Sequence, residues 1–255
     1  RNGRPMVPPM MPLEAPSPLR PLQQSALYHA ALTRIGADAA IAPFAGGRAV
    51  VMTRHWPGLG RGALLSRPMM RAPSIGPGAG LGPSLGAQVV IVNADTPGDG
   101  AALWRAGFIR LAAPKQIAAL SLAGGAADWL ARMHGKWRNR LRHAQRHVAL
   151  GTLTITQNTL PPDPRHWLFY KDADQQGLRG YRNLPPGLIT AMAAQDPNAL
   201  CLYTAREHGR AVAAMLFTRD GCTASYLIGW TDDTGRRLSA HNLILWQAMT
   251  DFSAQ

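Results

Sequence analysis

Three apolar stretches, ALCLYTARE from Ala199, RAVAAMLFTRD from Arg210 and CTASYLIGWTD from Cys222, are linked only by His208-Gly209 and Asp220-Gly221. A short link holding glycine lets a strand turn back onto its neighbour, so these stretches predict three consecutive antiparallel strands. The last strand runs into SAHNLILWQAMTDF, from Ser239, where apolar residues recur at helical spacing. Upstream, TLTITQN alternates like a strand, DPRHWLFYKDADQQ reads as a helix, GLRGYRNLPP breaks it, and Gly187 to Gln195 is helical again. The C-terminal part of the chain therefore reads as α+β.

The N-terminal part repeats the plan. Ser25 is placed to cap a helix that runs through Leu27, Ala31 and Leu32 to a stop at Gly36. Segments from Arg48, Gly62 and Gln88 read as strands, the first after a turn at Gly46-Gly47, and WRAGFIRLAAPKQIAALSL predicts strands on both sides of Pro114. The small residues Ala123 to Ala126 mark a boundary. The expected organisation is a Pro-rich arm over 1–20, a first half over 21–122 and a second half over 123–255. Arg71 to Gly86 is a loop whose GPGAGLG lacks the Gly-Lys-Ser/Thr ending of a phosphate-binding P-loop.

Between the halves lies ADWLARMHGKWRNRLRHAQRHVAL. On a helical wheel Leu130, Met133, Trp137, Leu141, Ala144 and Val148 form one apolar stripe, and Arg132, Lys136, Arg138, Arg140, Arg142, His143, Arg146 and His147 lie off it. No carboxylate occurs between Asp128 and Asp163. Like charges at i, i+4 repel, so a helix that keeps them points to an anionic partner, while a solvated basic face is the plainer reading. The whole chain carries 27 Lys plus Arg against 14 Asp plus Glu, a formal +13, which favours nucleic acid, phosphorylated substrates or an acidic membrane surface. Trp137 lies on the apolar stripe and reads as core. Cys201 and Cys222 lack metal-ligand spacing and read as core thiols of a reducing compartment. No apolar run is long enough to span a membrane. The chain begins at Arg1 rather than Met, which points to a trimmed end.

LQQSALY, WRAGFIRL, MHGKWRNRLRHAQR and SYLIGWTDDTGRRLSAHNLILWQAM, in that order, resemble the Fem-type (FemAB/FemX) branch of the GNAT acyltransferase superfamily over about residues 21–252. The resemblance implies an α+β, duplicated GNAT-like fold, with two mixed or antiparallel sheets flanked by helices and joined by the basic helix, which is expected between the halves. It implies acyl transfer to an amine: an aminoacyl group from aminoacyl-tRNA to a peptidoglycan precursor, or an acyl group from acyl-CoA as co-substrate, with no resident cofactor or metal. The expected place is the cytoplasm, at or near the inner face of the membrane. A non-catalytic RNA- or anion-binding module on the same scaffold is the alternative.

The resemblance also implies site residues. Arg179 or Arg182 stands where the family contacts a diphosphate. Lys136, Arg138 and Arg142 come from the basic helix, and Tyr226 to Gly229 match the Tyr-containing strand end. Two departures stand out. GRRLSAHN lacks the glycines with which acyl-CoA users open a helix N-terminus to a pyrophosphate, leaving Arg236 and Arg237 to grip phosphates by side chain. Fem-type chains also continue into strands with a Phe-Lys pair, whereas this sequence ends at Gln255, as a fragment or with that part of the site lost. No Ser elbow or Cys-His signature is visible, so positioning and oxyanion stabilisation are the expected chemistry. His241 is the candidate base and Tyr226 the candidate hydrogen-bond donor to the reacting carbonyl. Ser239 reads as a helix cap and Asn242 as a cap or ligand contact. Asp232 and Asp233 read as turn residues in a loop from Asp232 to Arg237.

Overall fold

The computed structural model describes residues 20–70, 81–84, 86–113 and 117–254. A 3-10 turn at Leu22–Gln24 leads into α1, Ala26–Arg34. Ser25 Oγ accepts from Tyr28 N at 3.0 Å, which is the expected cap. Then follow β1 (Ala39–Phe44), β2 (Gly47–Trp56), β3 (Gly60–Ser66), α2 (Leu81–Ser84), β4 (Val89–Asn93) and α3 (Pro97–Arg105). The strands form one sheet in the order β1-β2-β3-β4, antiparallel except that β3 and β4 run parallel. The second half contains α4 (Gly125–Arg132), α5 (Gly135–Ala149), β5 (Leu153–Thr159), α6 (Trp167–Arg179), α7 (Pro186–Gln195), β6 (Leu200–Glu207), β7 (Arg210–Asp220), β8 (Thr223–Thr231), α8 (Asp233–Arg237) and α9 (Ala240–Ser253). Its sheet, β5-β6-β7-β8, is antiparallel throughout.

The hairpin between β6 and β7 is as short as predicted. His208 (φ 48°) and Gly209 (φ 81°) both take the left-handed conformation that a two-residue turn requires. The central strands are covered on both faces. Leu202, Ala214, Leu216 and Ile228 pack with Leu168, Phe169, Ile189 and Met192 of α6 and α7. Tyr203, Ala205, Met215 and Phe217 pack with Leu141 and Ala144 of α5 and Leu243, Ile244 and Ala248 of α9. The first of these cores also holds Leu22, Tyr28, Ala31, Leu32 and Val50, so α1 packs on α7 and the halves share buried apolar surface.

That interface corrects one expectation. The basic helix joins the halves along the chain, but in space α5 packs on α9 and β5 of the second half, and the halves meet through α1 and α7. The helix is also broken. Met133 is extended (ψ 143°), and His134 Nδ1 accepts from Lys136 N at 3.1 Å to start α5 anew. The break turns Trp129, off the expected stripe, into the core, where it meets Trp246 edge-on at 5.9 Å, while Val148 on the stripe is exposed.

Other differences are local. The described residues around Pro114 form no strand, because their apolar side chains find no partner ladder. Asp232 to Arg237 is a helical turn rather than a loop, since Asp232 Oδ1 accepts from Gly235 N at 2.8 Å. Ser239 is left-handed (φ 55°) and makes no side-chain cap. Cys201 is buried as expected, but Cys222 lies exposed in the β7–β8 turn. Of the expected arm over 1–20, residues 1–19 lie outside the described residues, as do 71–80 and 85 of the expected loop from Arg71 to Gly86, whose Leu81–Ser84 is the short helix α2.

Two glycines with opposite surroundings provide a test of the packing. A Cβ at Gly235 would collide with Val212 O and Thr231 Oγ1, whereas one at Gly177, inside α6, would meet nothing within 4 Å. Gly235→Ala is expected to destabilise by about 1–3 kcal/mol through overpacking. Gly177→Ala is expected to stabilise by about 0.5–1 kcal/mol through helix propensity. Denaturant midpoints of the two variants check both signs.

Candidate active site

β8 is an edge strand with a slipped register. Leu216 pairs with Ile228, but Phe217 pairs with Tyr226, so Leu227 is an extra residue in the ladder. In a regular strand, residues three apart face opposite sides; the bulge restores Tyr226 and Gly229 to one side. Tyr226 stands edge-on to Phe217, with ring centres 5.7 Å apart, and its Oη fills the space over Gly229. Any side chain at 229 would collide with that hydroxyl. Tyr226 is nevertheless 55% exposed. Desolvation first, then Tyr181 and Asp172, raises its pKa above the ordinary tyrosine value, with Arg179 opposing.

Helix α6 reaches this strand with polar side chains. Asp172 follows Leu168 and Phe169 on the inward face and is buried. Its carboxylate accepts from Gln176 Nε2 at 2.7 Å, Asn183 Nδ2 at 2.9 Å and Tyr181 Oη at 3.1 Å. Gln175 Nε2 donates to Tyr181 Oη at 2.8 Å and to the Gly229 carbonyl at 2.9 Å. A continuous chain of hydrogen bonds thus runs from buried Asp172 through Tyr181 and Gln175 to the edge of β8. It orders the 180–185 segment, next to exposed Arg179. Asp172, Gln175, Tyr181 and Asn183 were not singled out from the sequence.

His241, in the first turn of α9, turns its ring back onto the sheet. Nε2 lies 2.8 Å from the Trp230 carbonyl, which can only accept, so Nε2 carries the hydrogen and Nδ1 keeps the lone pair. Burial lowers the pKa; backbone hydrogen bonds at Trp230 and Ala214 oppose this, and Arg179 and Arg236 add to it. The imidazole is therefore neutral near pH 7 and occupies the junction of β7, β8 and α9.

The predicted residues fall into two groups. Arg179 is close enough to act electrostatically on both Tyr226 and His241, and Arg236 acts on His241. Arg236 is held by Asp233 at 2.8 Å, and Arg237 by Thr234 at 3.3 Å. Arg182 is exposed in the 180–185 segment, and Asn242 and Ser239 sit half-buried at the start of α9. Lys136, Arg138 and Arg142 lie apart on α5. Arg138 and Arg142 line a cavity of about 170 Å3 with Leu130 and Leu141. Among the described residues no carboxylate lies within 4 Å of Lys136, Arg138, Arg140, Arg142 or Arg146, whereas five other arginines form ion pairs. α5 joins the strand–helix junction through His143, whose Nε2 lies 3.2 Å from the Arg237 carbonyl. No group of three His, Cys, Asp or Glu able to hold a metal is found among the described residues.

The paired sheets, the bulged edge strand and the helix that follows it define the class by fold: a GNAT-like α+β plan, built twice along one chain. Comparisons agree. Residues 132–255 match the family model of the acetyltransferase (GNAT) domain. The chain is similar in structure to FemX, with a TM-score of 0.67 at 10% identity, over 92% of this chain and 81% of that one. It is also similar to the C-terminal domain of a proposed lysylphosphatidylglycerol synthetase from Agrobacterium fabrum, with a TM-score of 0.50, 15% identity and coverage of 91% and 71%. A conserved protein of unknown function from Bacteroides thetaiotaomicron gives 0.50 at 14% identity, with coverage of 89% and 77%. No curated protein matches in sequence. The fold is thus FemX-like, with two sheets flanked by helices.

The neutral His241 predicts a pH dependence. Its folded-state pKa lies below the ordinary 6.5, so the unfolded chain binds the proton more readily. Its stabilising contribution is complete above about pH 6.5 and is lost as pH falls below that value. Burial also lowers His166, against Asp163, and this acts in the same direction. The melting temperature should fall between neutral pH and pH 5, and His241→Gln should flatten that fall. An equally steep fall in the variant would contradict the placement of His241.

Proposed function

We propose that this protein transfers an aminoacyl group from a phosphate-rich donor, aminoacyl-tRNA, to an amine acceptor, with acyl-CoA as the second choice of donor. The observation that carries this reading is the basic face of α5, without carboxylate partners and in contact with the helix that bears His241. Like charges are kept together there at a local cost, and a polyanion would relieve it. The α8–α9 junction adds support. Ser239, Ala240 and His241 open α9 where a glycine would let a pyrophosphate approach the backbone more closely. The lysylphosphatidylglycerol synthetase domain couples, by its name, an amino acid to a phosphate-bearing acceptor.

In this reading Lys136, Arg138 and Arg142 hold donor phosphates, and Arg179, with Arg182, meets the phosphates of the acceptor, a peptidoglycan precursor or a similar amine. Arg236, Arg237, Ser239 and Asn242 line the strand–helix junction. The acceptor amine loses a proton to His241 Nδ1, the only ring nitrogen free to accept it. Tyr226, protonated at neutral pH as a phenol is, donates to the oxyanion that forms when the amine attacks the carbonyl. Collapse of that oxyanion breaks the ester C–O bond, and the donor's oxygen leaves as a hydroxyl with the proton that His241 had taken from the amine. No covalent enzyme intermediate is required. The site of action is the cytoplasm, at or near the inner face of the membrane; among the described residues no helix is long and apolar enough to cross it.

The test is binding. Lys136→Glu/Arg142→Glu should weaken tRNA binding by tenfold or more at moderate salt and reduce the salt dependence. Folding stability should change by roughly 0.5 kcal/mol or less, because both side chains are exposed. Unchanged affinity would count against the donor site on α5. Low-micromolar binding of acetyl-CoA in calorimetry would instead favour the acyl-CoA reading.

A further inference from the structure

The end of α3 and the residues after it expose apolar surface that none of the described elements covers. Trp104 is 66% exposed, Ile109 79% and Leu111 81%. They lie around a tight turn in which Gly107 N donates to Trp104 O and Phe108 N to Leu103 O. This turn is anchored from below, since Leu103 and Ala106 are buried against Phe44, Val51 and Leu65 of the first sheet. The outward side chains are thus held at the surface by a packed helix. Ile117 and Leu120, further along, are exposed as well, so five of the thirteen exposed large hydrophobics of the described residues fall within 104–120. A monomer in water gains nothing from gathering them there.

The charge around them is of one sign. Ala101 to Ala127 contains no acidic residue and includes Arg105 and Arg110 beside Trp104, Ile109 and Leu111. Both arginines are exposed, with only backbone acceptors for their Nε, Ala101 O at 3.2 Å and Ala112 O at 3.4 Å. A tryptophan, branched aliphatic residues and arginines at one surface match the two layers of an anionic lipid leaflet. The rings and alkyl groups enter the headgroup–acyl boundary, and the guanidinium groups meet phosphates. An ordinary protein partner would place acidic residues against the arginines, but the chain's own net charge of +13 makes a second copy of itself a poor candidate.

We propose that the Trp104–Leu111 turn is a membrane-docking surface that seats the protein on an anionic leaflet. It lies in the first half, whereas the acyl-transfer residues lie in the second, and it requires no transfer activity. Docking and the acyl-transfer reading therefore stand or fall separately.

The experiment is flotation of the full chain with vesicles of phosphatidylcholine alone or with phosphatidylglycerol added. Binding is expected only with phosphatidylglycerol present. Ile109→Ser/Leu111→Ser keeps every charge and should lose roughly tenfold in partitioning, because bound affinity scales with buried apolar area. Arg105→Gln/Arg110→Gln should lose a similar amount at low salt. Lys136→Glu/Arg142→Glu, which alters the other basic surface, should retain most of the binding, and melting curves verify that each variant folds. Binding abolished by the α5 variant but untouched by the Ile109/Leu111 variant would overturn the proposal and assign membrane attraction to α5. No binding to either vesicle, or self-association that the Ile109/Leu111 variant abolishes, would also overturn it.

Discussion

The site depends on one extra residue. Leu227 shifts the register of β8 against β7, and this places Tyr226 on the same side as Gly229. The glycine then leaves the volume that the tyrosine hydroxyl takes up. Because β8 is the sheet edge, the Gly229 carbonyl is free to accept from Gln175, and through it the strand is tied to Tyr181 and buried Asp172. An edge strand with a bulge would otherwise be a weak place in the sheet. The network makes it a defined one.

Around this centre the second half separates two kinds of electrostatics. On the α6 side a buried carboxylate is satisfied by neutral donors and holds a loop. On the α5 side guanidinium groups stand exposed without carboxylate partners. α9 lies between them, since it packs on α5 and carries His241 against β7 and β8. The first half supplies α1 to the shared core, and its own outer surface carries the Trp104–Leu111 turn.

Much of this was legible in the residues. The hairpin at His208-Gly209, the cap at Ser25 and the apolar faces of α6, α7 and α9 follow local rules that tertiary contacts reinforce. The failures have physical causes. The Ala39–Phe44 strand has little alternation, and its existence depends on pairing with β2. α3 was overlooked although Thr96-Pro97-Gly98-Asp99 is a capping box with proline at the first helical position. Around Pro114, apolar residues resembled strands but have no ladder to join. At the site, Tyr226 and His241 were visible as residue types. Asp172 was not, because its meaning comes from Tyr181 and Asn183 folding back over it. Its signal was a carboxylate three residues after Phe169 on an inward helical face, where a charge needs donors.

The central claim, that the bulge seats the Tyr226 hydroxyl over Gly229, can be read from one titration. Ring-labelled tyrosines would be followed by NMR, with Tyr226→Phe identifying the resonance. Tyr226 should titrate above the ordinary value of 10.0. In Gly229→Ala, where the hydroxyl is displaced, it should return towards that value while the fold persists. A Tyr226 that titrates at the ordinary value in the unaltered protein, or that is indifferent to Gly229→Ala, would contradict the account.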